Sequence, residues 1–195
     1  MSIETFLSYI NTYGYIIICI FLFFGIVGIP APEESLLFFI GVLIDQSSLA
    51  FIPAGLSAFF GAFSGMIFAY AIGKYVGMPF VHKYGKYVGI TEERWIKVKE
   101  KYKGNIKKTI VFGFYIPGIR QISPYFAGMN KVPFMQFLYT SVLGTLVWTM
   151  PFILIGYYTS GVFNINLEYM PYIGLFLMLL FIVFGIVKYS KKRNT

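Results

Sequence analysis

One arginine stands in the run Tyr115-Ile116-Pro117-Gly118-Ile119-Arg120-Gln121-Ile122-Ser123-Pro124-Tyr125-Phe126-Ala127-Gly128, with apolar stretches on both sides. The guanidinium of Arg120, with the hydroxyls of Ser123 and Tyr125, could hold a phosphate or a carboxylate through paired hydrogen bonds. Thirteen of the sixteen basic residues are lysine, so an arginine here is a choice of a planar fork over a point charge. Two carboxylates, Glu33 and Glu34, follow Pro32 at another break in an apolar region, and Asp45 lies a little further on. After a proline at a first helical position they would serve a soluble protein as N-terminal charge. At membrane depth a charge costs on the order of 3 kcal/mol and marks a counter-ion or a proton carrier. Glu34, Glu33 and Asp45 are the candidates for proton coupling; Arg120, Glu34, Ser123 and Tyr125 are those for substrate binding. An Arg120 pair with Glu33 or Glu34 that opens to admit an anionic headgroup would be a gate.

The two polar breaks resemble each other. Residues 29–41 fall on residues 116–128 without gaps, with identities at Ile29/Ile116, Pro30/Pro117, Phe39/Phe126 and Gly41/Gly128. In that register Glu33 lies on Arg120.

The surrounding chain is built for a membrane. It is 57% hydrophobic, 21% aromatic and only 12% charged, with a mean hydropathy of +0.71, which excludes an ordinary soluble domain. The net charge of +8 is gathered in two blocks, residues 74–108 and 188–193. Both blocks flank apolar segments and are expected on the cytoplasmic side. Such charge needs no nucleic acid to explain it. Thr91 with Glu92 and Glu93 begins an amphipathic helix in the first block, Trp95, Val98 and Tyr102 lying opposite Lys97, Lys99 and Lys103. Cys19 is alone, so no intrachain disulfide is expected, and no cleavable signal is evident.

Enzyme signatures are poor. The one histidine, His82, lies in the basic block, so a histidine-based phosphatase or multi-histidine metal site lacks its groups. Ser64 in Gly61-Ala62-Phe63-Ser64-Gly65 does not sit in a serine-protease motif, and no P-loop or Cys-x-x-Cys is present. Neither an enzyme, a cofactor nor a metal is expected.

The elements follow from segment lengths. Residues 13–27 make a first span. Residues 36–44 are too few for a crossing, which takes about twenty, and read as a re-entrant hairpin. Residues 51–73 are a full span with Ser57, Gly61, Gly65, Ala69 and Gly73 on one face, suited to close helix packing or to a homodimer. Residues 109–128 form a second broken segment, 134–156 a span that Pro151 should kink or end, 161–171 a turn, and 172–187 a last span. With residues 74–108 and the C-terminus both inside, the two hairpins enter from opposite faces, each followed by a full span. The expected fold is all-α and integral to the membrane, a single domain of about four full transmembrane helices and two opposed re-entrant hairpins in an inverted repeat, residues 25–73 and 109–158.

At these residues the sequence resembles the DedA family, also called the SNARE-associated Golgi or VTT-domain superfamily, from about Gly25 to Tyr158. The first family motif, Gly-x-Pro-x-Pro-x-Glu followed by an apolar run and Gly, is matched by Gly28-Ile29-Pro30-Ala31-Pro32-Glu33-Glu34 and Gly41. The second, Arg-Phe-x-Pro-x-x-Arg then Ala-Gly, Phe, Gly and Trp, is matched by Tyr115, Pro117, Arg120, Ala127-Gly128, Phe137, Gly144 and Trp148. Phe114 stands where the family has its first arginine. The resemblance implies a plasma-membrane protein that moves a phosphate-headed lipid between leaflets, undecaprenyl phosphate or a phospholipid such as phosphatidylethanolamine, with proton coupling through the acidic residue. A proton-coupled transporter of a small soluble ion or solute is the alternative.

Overall fold

A computed structural model describes residues 3–29, 31–76, 113–116 and 119–163, with side chains from residue 12 onward. The basic block beyond Val76, with His82 and the amphipathic helix expected from Thr91, and the expected last span at 172–187 lie outside the described residues. Among the described residues there are five helices and no strand: α1 (Ile3–Val27), α2 (Glu33–Asp45), α3 (Phe51–Tyr75), α4 (Ile119–Met129) and α5 (Phe134–Phe163).

Polar side chains of the helices turn inward among an apolar core, while large apolar side chains are left on the outside. On α5 the buried positions include Ser141, Thr145, Thr149 and Ser160, while Tyr139, Leu143, Val147 and Ile155 are exposed. On α1 the exposed residues include Ile16, Ile17, Ile20 and Phe24. Water would reward the opposite arrangement; hydrocarbon rewards this one. Two helices, 51–75 and 134–162, are long and apolar enough to cross a membrane.

Two long helices and two short ones pack crosswise. The small-residue face of α3 takes α1: a Cβ on Gly61 would run into the backbone of Cys19, and one on Gly65 would come within 2.8 Å of the Phe23 carbonyl. That face is therefore covered within the chain. Each short helix then lies on the long helix of the other half, α2 on α5 and α4 on α3. A Cβ on Gly41 would strike the backbone of Ile153, Gly156 and Tyr157, and one on Gly156 would strike Phe38. The second crossing repeats the first, with Gly128 against Tyr70, Gly73 and Lys74, and Gly73 against Tyr125. Gly41 and Gly128, and Phe38 and Tyr125, are the pairs that the gapless alignment superimposes. Small residues here admit backbone-to-backbone contact that no side chain would allow.

Both short helices also end alike. The N–H of Ser47 bonds to Ile44 O and that of Ser48 to Leu43 O, with Ser47 at a φ of 58°. At the end of α4 the N–H of Lys131 bonds to Gly128 O and that of Val132 to Ala127 O, with Lys131 at a φ of 52°. These are Schellman stops, which satisfy the last carbonyls and turn the chain sharply into the next long helix.

Two boundaries differ from expectation. Pro151 does not end α5, and residues 161–163, expected to open a turn, are still helical, since the helix runs on to Phe163. Pro151 has no N–H for the carbonyl of Val147, and the hydroxyl of Tyr115 donates to that carbonyl instead. With the freed acceptor satisfied from outside, the helix continues past the proline.

Candidate functional site

The N-terminus of α2 meets the N-terminus of α4. Pro32 precedes α2 without giving a side-chain cap, and Glu33 and Glu34 occupy its first turn, where the helix dipole favours negative charge. Arg120 is the second residue of α4, a position at which the same dipole disfavours a cation. The two carboxylates of α2 offset that cost. The Nη2 of Arg120 lies 3.2 Å from Oε1 of Glu33, and its Nη1 donates to Glu34 and to the carbonyl of Phe114, the latter at 3.2 Å. Glu33 and Arg120, aligned with each other in the two halves, thus face each other directly.

The environment of the three charges differs. Ten consecutive residues of α4, from Ile119 to Gly128, are buried, and the side chains of Arg120 and Glu33 are 3% and 0% exposed. Glu34 is 34% exposed. Gly25 of α1 closes over Glu33, since a Cβ there would come within 2.6 Å of its carboxyl carbon. Two carboxylates confront one guanidinium, so the cluster carries one surplus negative charge while all three are ionised. A buried pair of this kind is costly to assemble and costly to break on one side.

The guanidinium also lies over an indole. Its Cζ is 4.6 Å from the centroid of the Trp148 ring, and the Phe114 ring packs 5.6 Å from the same indole. Phe114 therefore contributes its carbonyl to Arg120 and its ring to Trp148, and brings no second charge. Gln121 donates from Nε2 to the Gly25 carbonyl at 3.4 Å, tying α4 to α1 beside the cluster.

The other predicted site residues are placed as follows. Tyr125 is buried, and its hydroxyl donates to the Val27 carbonyl at 2.7 Å, locking α4 to the end of α1. Ser123 is buried on α4, beside Gly113. Asp45 is at the far end of α2, about 18 Å along the helix from Glu33 at 1.5 Å per residue, where a Cβ on Gly161 would sit 3.5 Å from its carboxylate. Arg120, Glu33 and Glu34 are brought together; Asp45 is not. Trp148 is marked in the sequence only by its match to the family motif, and Ser141 and Thr145 carry no such mark. Their spacing of four and three on one helix face was the available sign.

Among the described residues no group of three or more His, Cys, Asp or Glu side chains gathers that could hold a metal ion. Beside the cluster, residues of α1 and the following turn, including Ile17, Phe21, Phe24 and Ile29, line an apolar cleft of about 320 Å³ that reaches Gly25.

This is the arrangement of a polytopic helical membrane protein that keeps an ionic cluster where two short helices meet. The VTT domain model matches residues 29–158, two thirds of the chain, and the chain belongs to that family, the DedA family. It is 35% identical over 147 residues to the uncharacterized membrane protein YbfM of Bacillus subtilis, covering 75% of this chain and 91% of that protein. It is 28% identical over 155 residues to undecaprenyl phosphate transporter A of Bacillus subtilis, covering 79% and 76%. An alkaline phosphatase-like protein of Lactococcus lactis is 25% identical over 158 residues, covering 78% and 74%. No solved structure matches the chain significantly.

Proposed function

We propose that this protein is a translocase of the plasma membrane that carries a phosphate-headed lipid, undecaprenyl phosphate or a phospholipid such as phosphatidylethanolamine, between leaflets. In this reading α2 and α4 are re-entrant helices entering from opposite faces, and residues 172–187 complete four full crossings. The basic block 74–108 and the C-terminus are cytoplasmic. The observation that carries the reading is the Arg120 cluster at the junction of two helix N-termini. Such N-termini with a guanidinium suit an anionic headgroup, and the cleft at Gly25 offers its chain an apolar path. The name of the undecaprenyl phosphate transporter relative supports the same substrate class.

The cycle is a competition for Arg120. Glu34, which water can reach, takes up a proton and releases its hold on Nη1. The headgroup phosphate then accepts from the freed guanidinium, while sealed Glu33 keeps the arginine in place. Return of the proton to the other side restores the pair and expels the headgroup. No bond of the lipid is broken, and the protein is not an enzyme in this reading.

Leaflet-resolved lipid movement in proteoliposomes under a proton gradient tests it, with undecaprenyl phosphate and phosphatidylethanolamine as separate substrates. Wild type should move one of them, and Arg120→Ala and Glu34→Gln should both lose that movement. Well-folded wild type that moves neither lipid, with or without the gradient, would sink the proposal and favour a soluble solute.

A further inference from the structure

The buried polar atoms that lack a hydrogen-bond partner among the described residues are few and lie on three helices. They are the two carboxylate oxygens of Glu33, Nε of Arg120, the hydroxyls of Ser141 and Thr145, and Nε1 of Trp148. Folded proteins rarely leave such groups unpaired, and those that do usually hold a ligand or water there. Ser141, Thr145 and Trp148 are each fully buried and recur at helical spacing on one face of α5. That face reaches the cluster, since the indole of Trp148 underlies the Arg120 guanidinium.

Other hydroxyls on the same helix behave differently. Thr140 donates back to Gln136 O at 2.8 Å, and Thr149 to Thr145 O at 2.8 Å. Self-satisfaction is thus open to hydroxyls of α5, and Ser141 and Thr145 do not take it. The indole N–H and the arginine Nε–H can only donate, and the two hydroxyls can donate as well. A group that met all four would be rich in acceptors. The guanidinium edge formed by Nε and Nη2 is also half unused, Nη2 facing Glu33 and Nε facing no partner. One oxygen of a tetrahedral oxyanion can accept from the Nε–H while Nη2 stays on Glu33, and the remaining oxygens are left for further donors.

We propose that Ser141, Thr145 and Trp148, together with the Nε–H of Arg120, form a donor set for the oxygens of a phosphate oxyanion. The inference deepens the lipid-translocase reading and rests on it for the source of that phosphate: the headgroup meets Arg120 from the α2 side and this row of donors from α5. The pairing of Arg120 with Glu33 and Glu34 concerns where the charge goes; the donor row concerns which headgroup is held.

The test uses the full chain with Ser141→Ala, Thr145→Val and Trp148→Phe, each removing one donor while keeping most of the side-chain shape. Transbilayer movement is measured against lipid concentration in phosphatidylcholine vesicles carrying undecaprenyl phosphate or phosphatidylethanolamine, and melting is measured in detergent with those lipids or with inorganic phosphate. Each variant should raise the KM for the phosphate lipid on the order of ten- to a hundredfold, the weight of one donor to a charged acceptor. The empty Ser141→Ala and Thr145→Val variants should melt no lower than wild type, because a buried donor without a partner has been removed, whereas Trp148→Phe also gives up packing; in all three the lipid-induced rise in Tm should shrink. Wild type that moves lipid with variants of unchanged KM would overturn the donor set and leave the translocase standing. So would variants that melt lower yet respond to lipid as before. Wild type stabilised by inorganic phosphate, with the variants losing that effect and no lipid moved, would keep the donor set, assign it to a soluble oxyanion and overturn the lipid source.

Discussion

The Tyr115 hydroxyl donates to the Val147 carbonyl, the acceptor that Pro151 leaves without its helical donor. Tyr115 thereby fastens the segment before α4 to α5 at the proline. On the lipid-facing side of a helix there is no water to take over, so Tyr115→Phe should lower stability by about 1 to 3 kcal/mol. Pro151→Ala restores the missing N–H, and in that background the same substitution should cost much less. A double-mutant cycle by thermal melting reads the difference; additive costs would show that the proline and the tyrosine are independent.

The crossed glycines make a second, sharper prediction. Gly41 and Gly156 touch backbone to backbone, as do Gly73 and Gly128 with the partner helices, so no side-chain rearrangement can make room for a methyl group. Alanine at any of the four should destabilise by about 3 kcal/mol or more. Gly55→Ala is the control: its Cβ would meet the flexible Met150 side chain at 3.5 Å. That change should be neutral or stabilise α3 by about 0.5 to 1 kcal/mol. Equal tolerance of Gly41→Ala and Gly55→Ala, judged by monodisperse yield and Tm, would contradict the close crossing of α2 on α5.

How far the sequence foreshadows this arrangement depends on the residue. Arg120, Glu33 and Glu34 were legible because ionised groups are rare in an apolar chain and each needs a partner. The likeness of residues 29–41 to 116–128 was legible too, though not what it means in space: the two short helices exchange partners, so Gly41 packs on Gly156 and not on Gly73. Nothing local encodes that exchange. Asp45 is a candidate by its charge at the polar end of the first short segment, and the rise of α2 keeps it at the helix end opposite Glu33 and Glu34. Pro151 suggests a kink or an end because its missing donor is a local fact, whereas the acceptor it frees is met by Tyr115 far along the chain. Trp148 stands out in the sequence only as a match to the family motif, and the fold sets it beneath a guanidinium.

Arg120 combines charge, fork geometry and stacking, so charge alone should not replace it. Arg120→Lys keeps the cation but loses the two-pronged contact and most of the stacking on Trp148. Phosphate-lipid movement should fall roughly ten- to a hundredfold. Arg120→Ala goes further, leaving Glu33 buried and uncompensated, and should cost about 3 to 5 kcal/mol of stability. Adding Glu33→Gln to Arg120→Ala should recover much of that loss. If it recovers nothing, the pair recorded between Glu33 and Arg120 is not what holds α2 to α4.

The last prediction separates the two carboxylates. They are adjacent in sequence and share one arginine, but Glu33 is sealed and Glu34 is open to the surroundings. Proton exchange needs access, so in the proposed cycle the proton is assigned to Glu34. Glu34→Gln removes the surplus negative charge permanently while its amide oxygen can still accept from Arg120. Phosphate lipid should bind the variant at least as tightly as wild type, seen as an undiminished lipid-induced rise in Tm. Net movement driven by a pH gradient should be lost, because the carboxylate assigned to take up and release the proton is gone. Glu33→Gln should do the reverse, lowering stability while leaving the response to the gradient in whatever movement survives. Gradient-driven movement that persists in Glu34→Gln and vanishes in a stably folded Glu33→Gln would transfer the proton to the buried carboxylate.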